Sequence, residues 1–382
     1  MTDLGEIMRE EGGRYLDTRF TTADQRKAIR AITGCRTEAM GSVSATCEEC
    51  HAEYRLFRSC RNRSCPQCQS EARSTWLAAR QAELLPVPYL QVVFNVPAEF
   101  ERLASYCPET IYDVLMRSAG QALIDVGWSR LHAQLGCLMQ LHTWGQNLAR
   151  HLHTHCVVPC GGFSKDGRRW ISLEPDDFPV KALSTRFRTL LCRAIRAAAR
   201  EGKLERLPDT VSLDHVLAVV IAHERTVYAK PPFGGPEQLL AYLAQYTHRV
   251  AITNERIESY ENHQVTFRWH DYRDGKDKTC TLEAMEFLRR FLQHVPPTGF
   301  VRIRSYGFMA NRNRKQHVDR ARQLIGRSGT PRPRKPLEPI RLCPQCYAAR
   351  RHERIPHFAP DPDVAPQLNI PHRPPPIHRL VV

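Results

Sequence analysis

The segment from residue 35 to residue 68, CRTEAMGSVSATCEECHAEYRLFRSCRNRSCPQC, most restricts what this chain can fold into. It holds Cys47-x2-Cys50 and, after 14 intervening residues, Cys65-x2-Cys68. Each Cys-x2-Cys turn presents two sulfurs to one ion, and four thiolates suit tetrahedral Zn²⁺. The spacing therefore predicts a structural zinc held by Cys47, Cys50, Cys65 and Cys68. A set of buried thiols, the plainer reading, does not explain two paired spacings. Cys35 and Cys60 are left over, with no convincing partners beyond His51. A further pair, Cys343 and Cys346, is followed by His352 and His357 like the end of a zinc finger, but its Arg- and Pro-rich surroundings are poor for packing.

The chain has 14 cysteines, and its first residues, MTDLGEIMREEGG, are acidic and lack an apolar core. That combination points to metal sites and thiols rather than a disulfide framework, and to a cytoplasmic, nucleoid-associated protein. No run approaches the roughly 18 apolar residues of a membrane span. With 382 residues, 42% hydrophobic and 25% charged, the chain is long enough for two or three domains, and disorder throughout is excluded.

Lys and Arg number 55 against 40 acidic residues, a net charge of +15, which implies a polyanionic partner. Residues 302–354 alone carry 15 Lys/Arg against Asp319, Glu338 and Glu353. Within it, Arg302, Arg304, Arg312, Arg314 and Lys315 are candidate phosphate contacts; a solvated basic tail is the bland alternative. Near the cysteines, Arg55, Arg58, Arg61 and Arg63 alternate with Tyr54 and Phe57, a pattern suited to phosphate contact and base stacking, or else to a solvated rim. No GxxxxGK[ST] loop is present, so any duplex opening falls to another protein such as a host helicase.

Apolar periodicity lays out the rest. A helix runs through DQRKAIRAI, capped by Thr21 or Thr22, and another through SEARSTWLAARQAELL. YLQVVFNVP (89–97) reads as a strand, and CLMQLHTW (137–144) and HTHCVVP (153–159) as neighbouring strands across an eight-residue loop. RRWISL, RVAITN, QVTFRWHDY and FVRIRSYGF read as further strands. VKALSTRFRTLLCRAIRAAAREG, residues 213–224, EQLLAYLAQYTHR and TLEAMEFLRRFLQHV read as helices. From residue 331 on there are 13 prolines, which predicts an extended, weakly ordered tail. Irregular alternation of helices and strands favours α+β over a doubly wound sheet. The expected division is a zinc-binding, DNA-contacting module over 1–85, a core over 86–330 and a basic, Pro-rich tail over 331–382.

In HLHTHCVVP, His151, His153 and His155 alternate, so a strand would turn all three to one face. One histidine in a strand is usually structural; three in register suggest an open site for a divalent ion able to polarise a phosphoryl oxygen. His142 or Gln146 could add a ligand. Downstream, Tyr242 and Tyr246 stand four apart in a helical stretch and share a face. Taken alone they read as core aromatics. A phenol with a pKa of about 10 needs an activating metal or base to act as a nucleophile.

Taken in order, these motifs resemble a known family: the rolling-circle transposases of insertion sequences, the two-tyrosine branch of the HUH endonucleases. The resemblance rests on the CRT…CxxC…SCRNR-CPxCQ module, LHTWGQNL…H-x-H-x-H, YLAQYTHRVAITN and FLRRFLQHVPPTGFVRIRSYGFMANRNR, and covers most of the chain. It implies an antiparallel nuclease sheet backed by helices, with His153 and His155 holding Mg²⁺ or Mn²⁺ over the scissile phosphate. It implies Tyr242 and Tyr246 as nucleophiles forming 5′-phosphotyrosine links with single-stranded DNA. Val43 and Ser64 stand where relatives commonly carry His, which argues against a second metal site with Cys35 and Cys60. HLH replaces the usual HPH, and Cys160 replaces a usual glycine. A replication initiator or relaxase with the same chemistry is the alternative enzyme; a zinc-dependent DNA-binding protein without catalysis is the alternative outside enzymes.

Overall fold

The computed structural model describes residues 2–47, 49–68, 70–224, 226–231, 251–271, 274–326 and 345–346. Two helices open the chain, α1 (Leu4–Thr18) and α2 (Ala23–Gly34). Thr22 closes a capping box on the second: its hydroxyl accepts from the Gln25 amide at 3.2 Å, and Gln25 Oε1 accepts from the Thr22 amide at 2.9 Å. A two-stranded hairpin follows, β1 (Ser42–Thr46) with β2 (Glu53–Phe57), and then α3 (Ser70–Gln81).

The centre of the molecule is a five-stranded sheet in the order β12-β4-β5-β3-β8, in which every neighbour is antiparallel. Its strands are β3 (Tyr89–Asn95), β4 (Gly136–Trp144), β5 (Arg150–Pro159), β8 (Val227–Lys230) and β12 (Ile303–Gly307). Period-two alternation sends Leu90, Val92, Phe94, Met139, Leu141, Leu152, Cys156 and Val158 into one core. The helices α5 (Pro108–Leu131) and α6 (Val180–Arg200) cover that face, supplying Ile111, Leu115, Phe187, Leu191 and Ile195. Close approach of α5 to β12 depends on Gly120: a Cβ there would sit 2.5 Å from the Tyr306 ring. Shorter helices α4 (Ala98–Leu103) and α7 (Leu213–Ala222) complete this layer, and the small pair β6 (Gly161–Phe163) and β7 (Trp170–Ser172) lies apart from the main sheet.

A second, three-stranded sheet has the order β11-β10-β9, from β9 (Ile257–Glu261), β10 (Gln264–Asp271) and β11 (Lys276–Glu283), and leads into α8 (Ala284–Leu292). Its first hairpin turns at Asn262 and His263, both at positive φ, as a two-residue turn twisted to match its strands requires. This sheet has no core of its own. Ile257, Val265, Phe267, Phe287 and Leu288 pack with Leu4, Ile7, Met8, Ile29 and Ile32 of the first two helices, and with Trp144 from the central sheet. The last described helix, α9 (Arg314–Ile325), ends at Gly326 in the left-handed region.

The α+β architecture read from the sequence is the one observed. The strands β1, β2, β8 and β9 are additional to those read from the sequence, and further details differ. The loop between β4 and β5 spans residues 145–149, five rather than eight, because β5 begins at Arg150. Residues 251–254 of RVAITN form no strand: Ala251 and Ile252 are buried in the second core. The stretch before Ala284 in TLEAMEFLRRFLQHV belongs to β11.

Candidate metal centres and nucleic-acid surface

β5 lies at the centre of the main sheet, so the face away from α5 and α6 brings side chains from three strands together. Register pairs His142 with His153 and Gln140 with His155 across β4 and β5, and Asn95 with His153 across β3. His153 and His155 point to this face, while Leu152, Thr154 and Cys156 point into the apolar core. His142, His153 and His155 each offer a ring nitrogen, and all three lie within 4.8 Å of one another. All three rings are buried, and their centroids are 4.5–5.1 Å apart.

Burial keeps His153 and His155 neutral. Burial pushes His153 well below the ordinary histidine range, with the charges of His155 and His151 adding to the effect. Burial, and then the charges of His151 and Lys230, bring His155 down to about 4. Uncharged, converging nitrogens are what a divalent ion takes as ligands. Neighbours orient them. His153 Nδ1 donates to the His151 carbonyl at 3.0 Å, which leaves Nε2 as a lone pair. Gln91 Nε2 lies 2.9 Å from His155 Nδ1, a contact that fixes the orientation of this ring. These residues fit a divalent metal.

His151, the third histidine of the alternating run, is not in this group. It sits exposed at the start of β5, with Nδ1 3.2 Å from Glu101 Oε1, which also accepts from the Leu152 amide at 2.9 Å. The third converging imidazole is that of His142. Gln146, the other candidate, lies in the turn, where its carbonyl accepts from Arg256. Sequence reasoning overlooked Gln91 and Glu101, because only the pairing of strands and the placing of α4 bring them near.

Trp144 stacks on His142 at 5.5 Å and 18°. Beyond it lies a small cavity lined by Trp144, His294, Arg302, Ala251, Ser64 and Phe291, among others. Thr143 Oγ1 lies 3.2 Å from His294 Nδ1, and burial brings this imidazole down to about 3. Ala251 is the first described residue after the segment with Tyr242 and Tyr246; both tyrosines lie outside the described residues.

The cysteines form two groups, and neither is the expected one. Cys35, Cys60, Cys65 and Cys68 converge, with sulfur separations of 3.4 Å (Cys35–Cys68), 3.6 Å (Cys60–Cys68) and 3.7 Å (Cys35–Cys65). Contacts with Cys35, Cys60 and Cys65 hold the Cys68 thiol below its ordinary pKa. Cys47 and Cys50 instead meet Cys346. Cys343, with His352 and His357, lies outside the described residues. The hairpin explains the partition. Cys35 precedes β1 and Cys60 follows β2, so both lie at its base with Cys65 and Cys68, whereas Cys47 and Cys50 occupy its tip. A five-residue strand separates base from tip by about 16 Å. One ion cannot span that distance, and a count of spacings does not see it.

Several arginines expected at DNA are held within the protein. Arg63 donates to the carbonyls of Phe300 (2.6 Å), Pro296 (3.0 Å) and Pro297, fastening the cysteine module to the turn before β12. Arg304 pairs with Asp113 at 2.6 Å and lies over the Phe300 ring. Arg314 is buried, donating to Met309 O, Ser305 Oγ and Glu83. Arg302 lines the cavity, and burial brings its guanidinium down to about 10. Arg58 is half-buried, while Arg55, Arg61, Arg312 and Lys315 are exposed. Among the described residues no helix is long and apolar enough to cross a membrane.

The chain thus joins a cysteine-rich module to a buried group of three histidines on an antiparallel sheet. Comparison with known proteins gives the family. Residues 7–96 match a transposase zinc-binding domain, and residues 136–317 match a putative transposase domain. The putative transposase y4qJ of Sinorhizobium fredii (strain NBRC 101917 / NGR234) is 42% identical over 371 residues, 90% of this chain and 93% of its own. The transposase for insertion sequence element IS801 of Pseudomonas savastanoi pv. phaseolicola is 28% identical over 321 residues, 80% of this chain and 75% of its own. The conjugative relaxase TrwC, solved metal-bound with oriT DNA, gives a TM-score of 0.25 at 15% identity, over 42% of this chain and 71% of its own. That overlap is too loose to place residues on one another. This chain belongs to the insertion-sequence transposases of the IS91/IS801 type.

Proposed function

We propose that this protein cleaves and rejoins single DNA strands at the ends of a mobile element, in a rolling-circle mode, through 5′-phosphotyrosine links. The single observation that carries the reading is the buried trio His142, His153 and His155, converging from adjacent strands of the central sheet. Bound there, Mg²⁺ or Mn²⁺ would polarise an oxygen of the scissile phosphate and ease attack at phosphorus. The chain's residues do the rest. Burial keeps His153 and His155 uncharged, the His151 carbonyl and Gln91 fix their rings, and Trp144 packs against His142.

Tyr242 and Tyr246 are the proposed nucleophiles. A phenol oxygen forms a bond to phosphorus, the bond from phosphorus to the 3′ oxygen breaks, and the phenol's proton leaves with the new 3′-OH. The phosphodiester's energy is retained in the link, so a 3′-OH can reverse the step on another strand. Two tyrosines let one hold the first end while the other cleaves the second. Support for their placement comes from Ala251, which follows their segment and lines a cavity shared with Trp144, one ring away from His142.

Zinc held by Cys35, Cys60, Cys65 and Cys68 would stiffen the module over 1–85. That module would present Arg55 and Arg61 to DNA beside the catalytic core over 86–330, where Arg312 and Lys315 add phosphate contacts. The tail over 331–382 would add basic charge, and a host helicase would supply single strands.

The test uses end-labelled single strands from the element's termini, with and without Mg²⁺ or Mn²⁺. The wild-type chain should form a covalent adduct on a denaturing gel only with the ion. A Tyr242→Phe, Tyr246→Phe double variant should bind the strand and form none. An adduct from that variant would overturn the tyrosine assignment. Ion-independent behaviour throughout would reduce the protein to a DNA-binding module.

A further inference from the structure

The second cysteine group joins two residues of the matched zinc-binding domain, Cys47 and Cys50, to one that lies beyond it, Cys346. Cys47 and Cys50 stand at the tip of the β1–β2 hairpin, and Cys346 is 299 residues from Cys47 in the sequence. The sulfurs of Cys47 and Cys346 are 3.6 Å apart, and all three sulfurs lie within 4.8 Å of one another. A disulfide would require about 2.05 Å. Tetrahedral zinc with bonds of about 2.3 Å sets its sulfurs roughly 3.8 Å apart, close to the observed separation. The group at the hairpin base shows the same spacing, 3.4–3.7 Å.

The hairpin tip is already shaped as a metal knuckle. The amides of Glu49 and Cys50 hydrogen-bond to Cys47, an arrangement that stabilises a thiolate. His51, at φ 56°, turns the chain back: its amide donates to the Cys47 carbonyl at 2.9 Å, and the Cys47 amide donates to the Ala52 carbonyl at 3.0 Å. Cys50 and Cys346 are exposed, where apolar burial offers no reason for three thiols to gather.

We propose that Cys47, Cys50 and Cys346 bind a second zinc ion, distinct from the one at Cys35, Cys60, Cys65 and Cys68, with one further donor filling the fourth corner. The ion clips the C-terminal part of the chain to the hairpin that carries Arg55. Residues beyond α9 are thereby fixed to the N-terminal module. The clip does not depend on the strand-transfer reading, because zinc content is measured without DNA.

Elemental analysis of the purified full-length protein tests it. Wild type should hold two zinc ions per chain. Cys346→Ser and Cys47→Ser should each hold one, and the double variant also one, since both remove the same site. Cys346→Ser alters no residue of the folded cores, so it should keep the wild-type circular dichroism. Trypsin should cut residues 327–341, with basic residues from Arg327 to Arg341, several-fold faster in Cys346→Ser than in wild type. One zinc per wild-type chain, or two in Cys346→Ser, would overturn the second site. Equal zinc loss with unchanged trypsin cutting would overturn the clip.

Discussion

The histidine centre and the cysteine groups both bring metal-ligating side chains together, but they are assembled in different ways. His142 and His153 face each other across one hairpin of the central sheet, and strand hydrogen bonds set their separation before any ion arrives. The sulfurs come from further afield: Cys35 meets Cys68 across 33 residues, and Cys47 meets Cys346 across 299. Around the histidines the fold organises the site. Around the cysteines a bound ion would organise the fold. The first arrangement suits a catalytic ion that is bound and released; the second suits an ion that stays.

Disabling one member of each site should break the comparison most visibly. Cys65→Ser removes a sulfur from the hairpin base, where Cys35, Cys60 and Cys65 border the core shared by α1, α2 and the second sheet. Because structural zinc supplies folding energy of about 10 kcal/mol or more in small modules, calorimetry should show the melting temperature falling by roughly 10 °C or an early separate transition. An unchanged melting curve would put the cysteine module outside this logic. His153→Ala should do the reverse. Ion-dependent nicking should fall by at least about 100-fold, with stability down by no more than about 2 kcal/mol, because the strand ladder persists without the ring.

Smaller changes sharpen the picture. Gln91→Leu removes the group beside His155 Nδ1 without touching a ligand. Affinity for Mn²⁺, measured by calorimetric titration, should drop about 10- to 100-fold with the melting temperature nearly constant. The smallest effects should separate two arginines of the cysteine module. Arg55→Ala should lower the slope of DNA affinity against salt by about one contact and leave stability within about 0.5 kcal/mol. Arg63→Ala should cost about 2 kcal/mol in denaturant unfolding through the lost bonds to Phe300 and Pro296, and leave that slope alone.

Local rules made much of the fold legible. The strand 89–97, the helix from Val180 and the cap at Thr22 follow from period, length and capping chemistry, which a residue's near neighbours decide. So does the sharing of one face by His153 and His155. What failed were inferences across distance. Arg63 and Arg314 read as surface cations because their partners, the carbonyls before β12 and a cradle including Met309 and Ser305, are supplied by packing. His151 read as a ligand because alternation says which side a residue faces and nothing about whether a carboxylate from α4 stands beside it.

By itself, then, the amino-acid order settled which chemical groups are present and which way each points along its own strand or turn: imidazoles to one face, thiols in pairs, a basic excess. Tertiary structure alone decided which groups meet. The Cys-x2-Cys pairs were separated by the length of a hairpin, the third imidazole came from the neighbouring strand, and the second sheet found its core on the first two helices. The reason is that ligand convergence and burial are set by distances in space, and spacing along a chain determines those only within a single turn or strand.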